Sequence, residues 1–414
     1  MLDINFIRQN PEVVKAAAKN KNIKVDVDEL LAIDGQVLKL KQQLDTFRQK
    51  RNENSEKMKG GKPSPEVIEQ GKKLKDQIAA LETELKPLEE ELLSLMHRAP
   101  NLMAEDVPIG KEGEGVVISS FGTKKDKAKD HLDLAESKDW VDFSSGAKVA
   151  GSKFYYLKGD LALLENAIYQ FALNLIVEKG FIFVTVPHMV NQKTAMGTGF
   201  APRSDSQNDE YFIEGEDLAL IATAEVSLTG LHTDSTFEED QLPVFYAGYS
   251  PCYRKEAGTY GKHTRGLFRV HQFNKLEMYA YSLPEKSLEV HEYLKSIEEE
   301  IWQKMNIPYR VVNIPSGDLG SPAFKKYDIE YWSPVDNEYR ELTSCSNCTD
   351  FQARNLNIKL KRKNGSLEFV HTLNGTAVSL SRTLVAFIEN HQNEDGSINI
   401  PSALKLYMGG REKI

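Results

Sequence analysis

Two runs of apolar residues with alternating three- and four-residue spacing occupy the first quarter of the chain. They comprise Leu30, Ile33, Val37, Leu40, Leu44 and Phe47, and then Val67, Gly71, Leu74, Ile78, Leu81, Leu85, Leu88, Leu92 and Leu95; only Gly71 in the second run and Pro87 beside it interrupt the apolar pattern. This spacing predicts two helices, residues 28–52 and 66–97, each with one apolar seam. They would be roughly 37 and 48 Å long at 1.5 Å per residue. Because only the short Gly-Pro segment 60–63 separates them, we expect an antiparallel hairpin; a coiled coil between two chains is the alternative.

An alternation of polar and apolar residues marks the middle of the chain, between residues 245 and 281. It predicts two β-strands joined by a basic, glycine-rich loop. Arg254 and Glu256 are expected on one face of the first strand. In the second strand one face would carry His271, Phe273, Lys275 and Glu277, and the other Phe268, Val270, Leu276 and Met278. The polar face predicts the floor of a binding site, with solvated strand charges as the alternative.

Helical and strand patterns alternate through the rest of the chain. Residues 99–130 are interpreted as linker and edge structure, 164–180 as an amphipathic helix, 181–187 as a strand and 284–306 as an acidic helix with a solvated outer face. Further strands are predicted at 309–314, 324–332, 338–344 and 369–373, before a turn at 374–376 and a last helix at 377–391. The order predicts the α+β class, with an antiparallel β-sheet flanked by helices after the helical arm.

Composition narrows the cellular setting. The 414 residues are 40% hydrophobic, which supports a sizeable core, and contain no run of eighteen apolar residues. The N-terminus lacks the apolar core and the small-residue cleavage site of a secretory signal. We therefore expect a cytoplasmic protein with no membrane partner.

Charge is distributed unevenly along the chain. The net charge is −9, but residues 35–75 carry eleven basic and five acidic side chains, or +6, which leaves −15 for the remainder. A basic cluster at the distal half of a helical arm predicts contact with a phosphate backbone, although a solvated charged face is possible.

Three cysteines are too few for a disulfide framework. Cys345 and Cys348 form a single CxxC without a second pair or a nearby histidine, so two ordinary thiols are favoured over a zinc site. No structural zinc is expected.

A combination of motifs resembles one enzyme class. Arg254 and Glu256, the basic glycine loop, the FRVHQF strand ending at Phe273, and Arg382 in a late helix resemble motifs 2 and 3 of class II aminoacyl-tRNA synthetases, with Pro187 in motif 1. Thr223, Ala224 and Glu225, the pair Arg254 and Glu256, Glu277, and the N-terminal arm are similar to the seryl-tRNA synthetase family of the bacterial type. The resemblance implies a tRNA-binding arm at residues 1–104 and a class II catalytic domain at 105–414.

The resemblance also implies a reaction and an ATP site. Serine would be activated by ATP to seryl-adenylate and then transferred to tRNA(Ser). The implied catalytic residues are Arg254, which would bind the α-phosphate and the serine carboxylate, and Arg382, which would bind the adenine face and the γ-phosphate. The implied ATP-binding set is Arg254, Lys255, Glu256, Phe273, Glu341, Leu342, Thr343, Ser344 and Arg382. In that set Glu256 would hold the adenine amino group, Phe273 would stack on the ring, and Glu341 and Ser344 would be the Mg²⁺ ligands.

For the amino acid, the resemblance implies contacts from Thr223, Ala224, Glu225, Arg254, Glu277 and Thr376. A hydroxyl held by a buried carboxylate would discriminate serine from alanine. The chain departs from the family pattern at two places, since members often have serine at the position of Thr376 and glycine at that of Ser381. Both changes are small and could narrow the pocket.

For tRNA, the resemblance implies contacts along the arm and from the motif 2 loop, through Arg48, Lys50, Arg51, Lys57, Lys59, Lys262 and Arg265. It also implies a homodimer built on motif 1. Two other functions stay open on the sequence: an amino-acid ligase that charges a carrier protein, and an inactive relative that binds RNA or a partner. Use of selenocysteine tRNA is not decided by the sequence.

Overall fold

The computed structural model describes residues 1–58, 64–199, 209–256 and 265–414, with the side chain of residue 58 left out. The predicted helix break at 60–63 and most of the basic loop therefore lie outside the described residues. Contacts divide the chain into two units, Leu2–Pro100 and Asn101–Ile414, with Met1 belonging to the second.

The first unit is helical. Its helices are α1 (Ile4–Gln9), α2 (Pro11–Asn20), α3 (Val27–Met58) and α4 (Pro65–Arg98). Val37, Leu40 and Leu44 of α3 form one apolar cluster with Ile78 and Leu85 of α4. The two seams thus bury each other within a single chain, which confirms the hairpin over the intermolecular alternative. Both helices are longer than predicted, by residues at their ends where charged side chains give no periodic signal.

An eight-stranded sheet is the centre of the second unit. Its strands run in the order β1-β10-β11-β12-β15-β9-β8-β4, and every neighbouring pair is antiparallel except β4 with β8. The bounds are β1 (Val116–Phe121), β4 (Ile182–Thr185), β8 (Val244–Tyr253), β9 (Gln272–Ser282), β10 (Tyr309–Asn313), β11 (Lys325–Ser333), β12 (Glu338–Asn347) and β15 (His371–Ser379). This sheet confirms the predicted α+β class.

Smaller elements flank the sheet. The remaining strands are β2 (Val141–Asp142), β3 (Tyr156–Leu157), β5 (Met189–Asn191), β6 (Leu218–Leu220), β7 (Thr236–Glu238), β13 (Lys359–Lys361) and β14 (Leu367–Phe369). The helices are α5 (His131–Ser137), α6 (Phe143–Ala150), α7 (Gly159–Glu178), α8 (Gln192–Gly197), α9 (Ala224–Gly230), α10 (Ser287–Lys304), α11 (Phe351–Asn355), α12 (Leu380–His391) and α13 (Ser402–Lys405).

Helix α10 carries most of its acidic residues on an outer face, as predicted, but it also has a buried inner face that the prediction did not describe. Its inner face is buried, and Glu298, Leu294, Ile301 and Trp302 are all fully inaccessible to solvent. The acidic residues that dominate the sequence of this segment lie mostly on the outer face. The buried residues recur at helical spacing and form an apolar stripe, which the overall acidic composition does not reveal.

The turn predicted at residues 374–376 is wrong, because strand β15 runs through this segment to Ser379. Asn-Gly is a strong turn signal in isolation. Here Gly375 has a different role, since a Cβ at this position would lie 3.0 Å from Oε1 of Glu298 and 3.3 Å from Cβ of Cys345. The glycine permits close packing in the middle of the sheet, and the last helix begins only at Leu380.

Among the described residues, helix α7 is long and apolar enough to cross a membrane by length and composition alone. Its residues Leu161, Leu164, Ile168 and Ala172 are buried in the main core, as expected for a core helix of this composition.

Replacing Gly375 by alanine should destabilise the second unit by roughly 1–3 kcal/mol, because the added methyl group has to displace packed atoms. Gly35→Ala in α3 is the matched control: it adds the same methyl group in the other unit, where no atom lies within 4 Å, so it should leave the unfolding of the second unit unchanged. All three tryptophans, Trp140, Trp302 and Trp332, belong to the second unit, so their fluorescence in urea follows that unit. Equal stability of wild type and Gly375→Ala would contradict the packing argument.

Candidate active site

One face of the central sheet carries polar side chains in register. Thr376 of β15 is paired with Glu277 of β9, and Glu277 with Gly248 of β8. Lys326 of β11 is paired with Ser346 of β12, and Ser346 with Asn374 of β15. Because directly opposed residues project to the same side of a sheet, these strands together form a polar floor.

Two adjoining pockets open on this floor. The smaller, of about 110 Å³, is lined by Arg254, Glu256, Phe268, Val270, Phe273, Lys275, Glu341, Leu342, Thr343, Ser344, Thr376, Ser379, Ser381 and Arg382. The larger, of about 620 Å³, includes Thr223, Glu225, Glu277, Asn374 and Cys348 in its wall. Arg254, Lys275, Ser344 and Thr376 line both pockets. A ligand in one pocket would therefore share these four side chains with a ligand in the other.

Glu225 is held in the larger pocket by amide groups. Thr223 is the N-cap of helix α9, which places Glu225 in the first turn of that helix. Oε1 of Glu225 accepts hydrogen bonds from Nε2 of Gln352 at 2.8 Å and Nδ2 of Asn374 at 3.0 Å. Burial, and then the nearby charge of Glu277, raise the pKa of Glu225 to about 7.

Glu277 is a second buried carboxylate in this pocket, with 1% of its surface exposed. Its Oε2 accepts a hydrogen bond from Oγ1 of Thr223 at 3.1 Å and forms an ion pair with Nζ of Lys275. Burial raises the pKa of Glu277, while Lys275 and Thr223 oppose that shift.

Arg254 lies between the two pockets, just beyond the end of β8. Its Nε donates to the carbonyl oxygen of Ala222 at 3.4 Å, and its guanidinium carbon is 5.2 Å from the centroid of the Phe273 ring. The guanidinium is thus oriented by a backbone acceptor and an aromatic face, which suits a fork for oxyanions.

Glu256 lines the smaller pocket, but its position does not result from the predicted alternation of side chains along a strand. The strand has already ended, and Glu256 adopts a left-handed φ of +49°. Its Oε2 accepts from Nη1 of Arg269 at 2.7 Å. The neighbouring Lys255 lies apart, with Nζ 5.7 Å from the Tyr211 ring, and it lines neither pocket.

Phe268 corrects the predicted division of the second strand into faces. Strand β9 begins at Gln272, and residues Gly266–Phe268 form a 3-10 helix, so alternation does not apply to Phe268 and Val270. Both residues are buried in apolar clusters, as predicted, and both also line the smaller pocket. The guanidinium carbon of Arg382 lies 5.0 Å from the Phe268 ring centroid.

Arg382 also forms an ion pair within the pocket, its Nη1 lying 3.1 Å from Oε1 of Glu341. This proximity lowers the pKa of Glu341 to about 2, so the carboxylate is ionised at neutral pH. Leu342, Thr343 and Ser344 follow Glu341 along β12 and line the same pocket.

Ala224 differs from the other implied serine contacts, because it is buried and lines neither pocket.

The residues implied for Mg²⁺ fit a phosphate-bound ion. Mg²⁺ prefers hard oxygen ligands and usually keeps waters and phosphate oxygens in its coordination sphere. Glu341 and Ser344 provide one ionised carboxylate and one hydroxyl in the same pocket. The described part of the chain contains no group of three or more His, Cys, Asp or Glu residues arranged for a metal, so ATP would have to supply most of the ligands.

The cysteines behave as ordinary thiols. Cys252, Cys345 and Cys348 form no disulfide and are all buried. Burial raises the pKa of both the Cys252 and the Cys345 thiol, which keeps them protonated.

The implied tRNA contacts fall into three groups. Lys50, Arg51 and Lys57 are exposed on α3. Arg48 is paired with Glu82 across the hairpin at 2.9 Å, and Arg265 with Asp133 at 2.8 Å, so both cations already have partners. Lys59 and Lys262 lie outside the described residues.

Several residues at the site gave no distinct signal in the sequence. Gln352 and Asn374 hold Glu225 from α11 and β15, and Arg269 holds Glu256. Lys275 was visible as one member of the alternating strand pattern, which suggested its face but no partner. Distances between strands far apart in the chain were needed to bring these residues together.

Comparison with known proteins places this arrangement in a class. Residues 210–391 match the tRNA synthetase class II core domain (G, H, P, S and T), and residues 1–103 match the seryl-tRNA synthetase N-terminal domain. The antiparallel sheet and the cleft on its polar face are thus those of a class II aminoacyl-tRNA synthetase.

Full-length relatives narrow the class to a family. A serine–tRNA ligase of Dictyoglomus turgidum is 45% identical and covers 99% of this chain and 98% of its own length. A seryl-tRNA synthetase from Pyrococcus horikoshii in complex with ATP superposes with a TM-score of 0.89 at 40% identity, over 100% of this chain and 99% of that one. A cytoplasmic serine–tRNA ligase from Naegleria fowleri in complex with AMP gives a TM-score of 0.84 at 32% identity, over 100% and 98%. The chain belongs to the seryl-tRNA synthetase family.

The raised pKa of Glu225 predicts a pH-dependent stability. Its folded pKa of about 7 lies above the usual value of 4.5, so the native state holds a proton that the unfolded state releases. This contribution is fully present below pH 4.5 and is lost as pH rises through 7. Between pH 5 and 8, wild type should lose roughly 2 kcal/mol more than Glu225→Gln, measured by tryptophan fluorescence in urea. Parallel pH profiles for the two proteins would show that Glu225 titrates normally.

Proposed function

We propose that this chain activates L-serine with ATP, forming seryl-adenylate and pyrophosphate, and transfers the serine to tRNA(Ser). The observation that carries the proposal is the position of Arg254 in the wall of both pockets. An attacking carboxylate and the α-phosphate must meet at one point, and a guanidinium there can bind oxygens of both.

The larger pocket would bind serine. Glu225 would accept hydrogen bonds from the ammonium group and Glu277 from the side-chain hydroxyl, with Thr223 and Thr376 beside them. An amino acid without a hydroxyl would leave a buried acceptor without a donor, which favours serine over alanine. Thr376 in place of the family's more common serine adds a methyl group that would help to exclude threonine.

The smaller pocket would bind ATP. Adenine would stack on Phe273, with Glu256 accepting from its amino group and Arg382 covering the other face. A serine carboxylate oxygen would attack the α-phosphorus, and the bond from that phosphorus to pyrophosphate would break. The terminal ribose hydroxyl of tRNA would then attack the serine carbonyl, releasing AMP. Neither step requires a protein nucleophile, so positioning and charge account for the catalysis.

Mg²⁺ would be held by Glu341 and Ser344, where it would neutralise phosphate charge. Arg382, which pairs with Glu341 in the structure, would turn towards the γ-phosphate when ATP is bound.

Residues 1–104 would form the tRNA-binding arm and 105–414 the catalytic domain of a homodimer, with motif 1 around β4 at the subunit interface. The exposed cations on α3 would contact the tRNA backbone.

The same fold could serve selenocysteine tRNA, which shares the serine acceptor chemistry. As an enzyme of protein synthesis it would work in the cytoplasm.

Arg254→Ala should lower serine-dependent ATP–pyrophosphate exchange by on the order of 10²–10³-fold, because charge stabilisation at the α-phosphate is lost. Lys255→Ala, one residue further on, should change exchange by less than about 5-fold, since its side chain lies over Tyr211 outside both pockets. Wild-type protein without serine-dependent exchange would refute the proposed reaction. Exchange without transfer to tRNA would favour the carrier-protein ligase.

Reversing the charges of Lys50, Arg51 and Lys57 to glutamate should weaken tRNA binding by about 10-fold or more and flatten its dependence on salt. Exchange without tRNA should stay at the wild-type rate. The matched control reverses three exposed lysines of the other unit, Lys111, Lys127 and Lys148. If both triple variants weakened tRNA binding equally, net charge and not the arm would be responsible.

A further inference from the structure

Lys275 has no role in the reaction as proposed so far, yet it is one of four residues that line both pockets. The other three, Arg254, Ser344 and Thr376, are each expected to contact a substrate or the metal. Lys275 is only 6% exposed. A lysine so deeply buried needs a partner to remain charged, and its one ion pair among the described residues is with Glu277.

The proton arrangement around Glu277 can be followed from atom to atom. The backbone N–H of Glu225 donates to Oγ1 of Thr223 at 3.2 Å, and Thr223 has one hydroxyl proton to give. That proton is directed to Oε2 of Glu277, 3.1 Å away. Lys275, which can only donate, contacts the same oxygen. Oε2 is therefore a saturated acceptor with two donors.

The other carboxylate oxygen of Glu277, Oε1, has no hydrogen-bond partner from any residue that the structure describes. The side chain is 1% exposed and forms part of the wall of the larger pocket. An acceptor oxygen in the wall of this pocket that no protein donor occupies is available to a hydrogen-bond donor of a ligand.

We propose that Lys275 is a positioning residue for serine recognition, which with Thr223 occupies Oε2 of Glu277 and leaves Oε1 as the acceptor for the substrate hydroxyl. This inference rests on the proposed function. The ammonium of Lys275 opposes the rise in the pKa of Glu277 that burial causes, and its ion pair with Oε2 fixes the rotation of the carboxylate, so that Oε1 is left to a ligand. Recognition of the hydroxyl, and with it the preference for serine over alanine, depends on this pair.

The test compares serine and alanine as substrates in ATP–pyrophosphate exchange. Lys275→Met keeps the length of the side chain but removes the charge and the donors. It should raise the KM for serine by about 10- to 100-fold, the loss expected for one charged hydrogen bond, with a smaller change in kcat. The kcat/KM for alanine should stay within about 3-fold, because alanine has no hydroxyl to lose. Lys275→Arg should restore most of the discrimination, since it returns the cation.

Two further variants keep the test decisive if Lys275→Met folds poorly, which tryptophan fluorescence would reveal. Lys275→Gln retains an N–H donor for Oε2 without the charge and should show an intermediate loss confined to serine. In a Glu277→Gln background, Lys275→Met should add little, because the interaction that it removes is already gone.

The outcomes separate the alternatives. Equal losses for serine and alanine would overturn the inference, because Lys275 would then act on ATP or the α-phosphate. An unchanged serine KM in a folded Lys275→Met protein would also overturn it, as would additive effects of the Lys275 and Glu277 substitutions. Absence of exchange in the wild-type protein would instead refute the proposed function.

Discussion

Burial of charge on one face of the central sheet is the constraint on which the site depends. Glu225, Glu277 and Lys275 are each less than a tenth exposed. An ionised group in such a place is tolerated only when hydrogen bonds and opposite charges surround it. The amides of Gln352 and Asn374, the hydroxyl of Thr223 and the ion pair with Lys275 meet this requirement. The site is therefore rigid because the alternative arrangements would leave buried charges without partners.

The opposite face of the same strands is apolar, and its packing in the main core holds the strands in place. Leu276 and Met278, which flank Glu277, are fully buried in the main core with residues of α7, α10 and α12. Gly375 allows α10 to approach the sheet closely on this apolar face, since a Cβ there would meet Glu298 3.0 Å away, and Gly248 does the same for α9 on the polar face. Apolar packing on one face of the sheet thus fixes the strands, and the fixed strands determine where the side chains on the polar face lie.

Part of the smaller pocket is built differently, from segments beyond the ends of strands. Glu256 adopts a left-handed conformation after β8, and Phe268 stands in a 3-10 helix before β9. Their contacts are with cations, Arg269 for Glu256 and Arg382 for Phe268. The side chains of Arg269 and Arg382 are 31% and 15% exposed, against 1% for Glu277, so their contacts can be exchanged for a ligand at lower cost than those of the buried carboxylates. The structure thereby joins a larger pocket with firmly held carboxylates to a smaller pocket whose arginines are more exposed.

The sequence by itself determined the helical hairpin, the α+β class, and the candidate residues Arg254, Glu277 and Arg382. Each depends on a local signal: a 3-4 apolar spacing, a strand alternation, or a motif of fixed spacing. Local signals were misleading where packing decided the outcome. Asn374 and Gly375 are predicted as a turn but lie within β15. The strand alternation did not show that Phe268, a core residue, also lines the smaller pocket, and the acidic composition of α10 did not show that Glu298 is buried. The partners of the buried groups could come only from the tertiary structure. Gln352 lies 127 positions from the Glu225 that it binds, and no periodicity along the chain records a hydrogen bond between two elements that meet only when the sheet has formed.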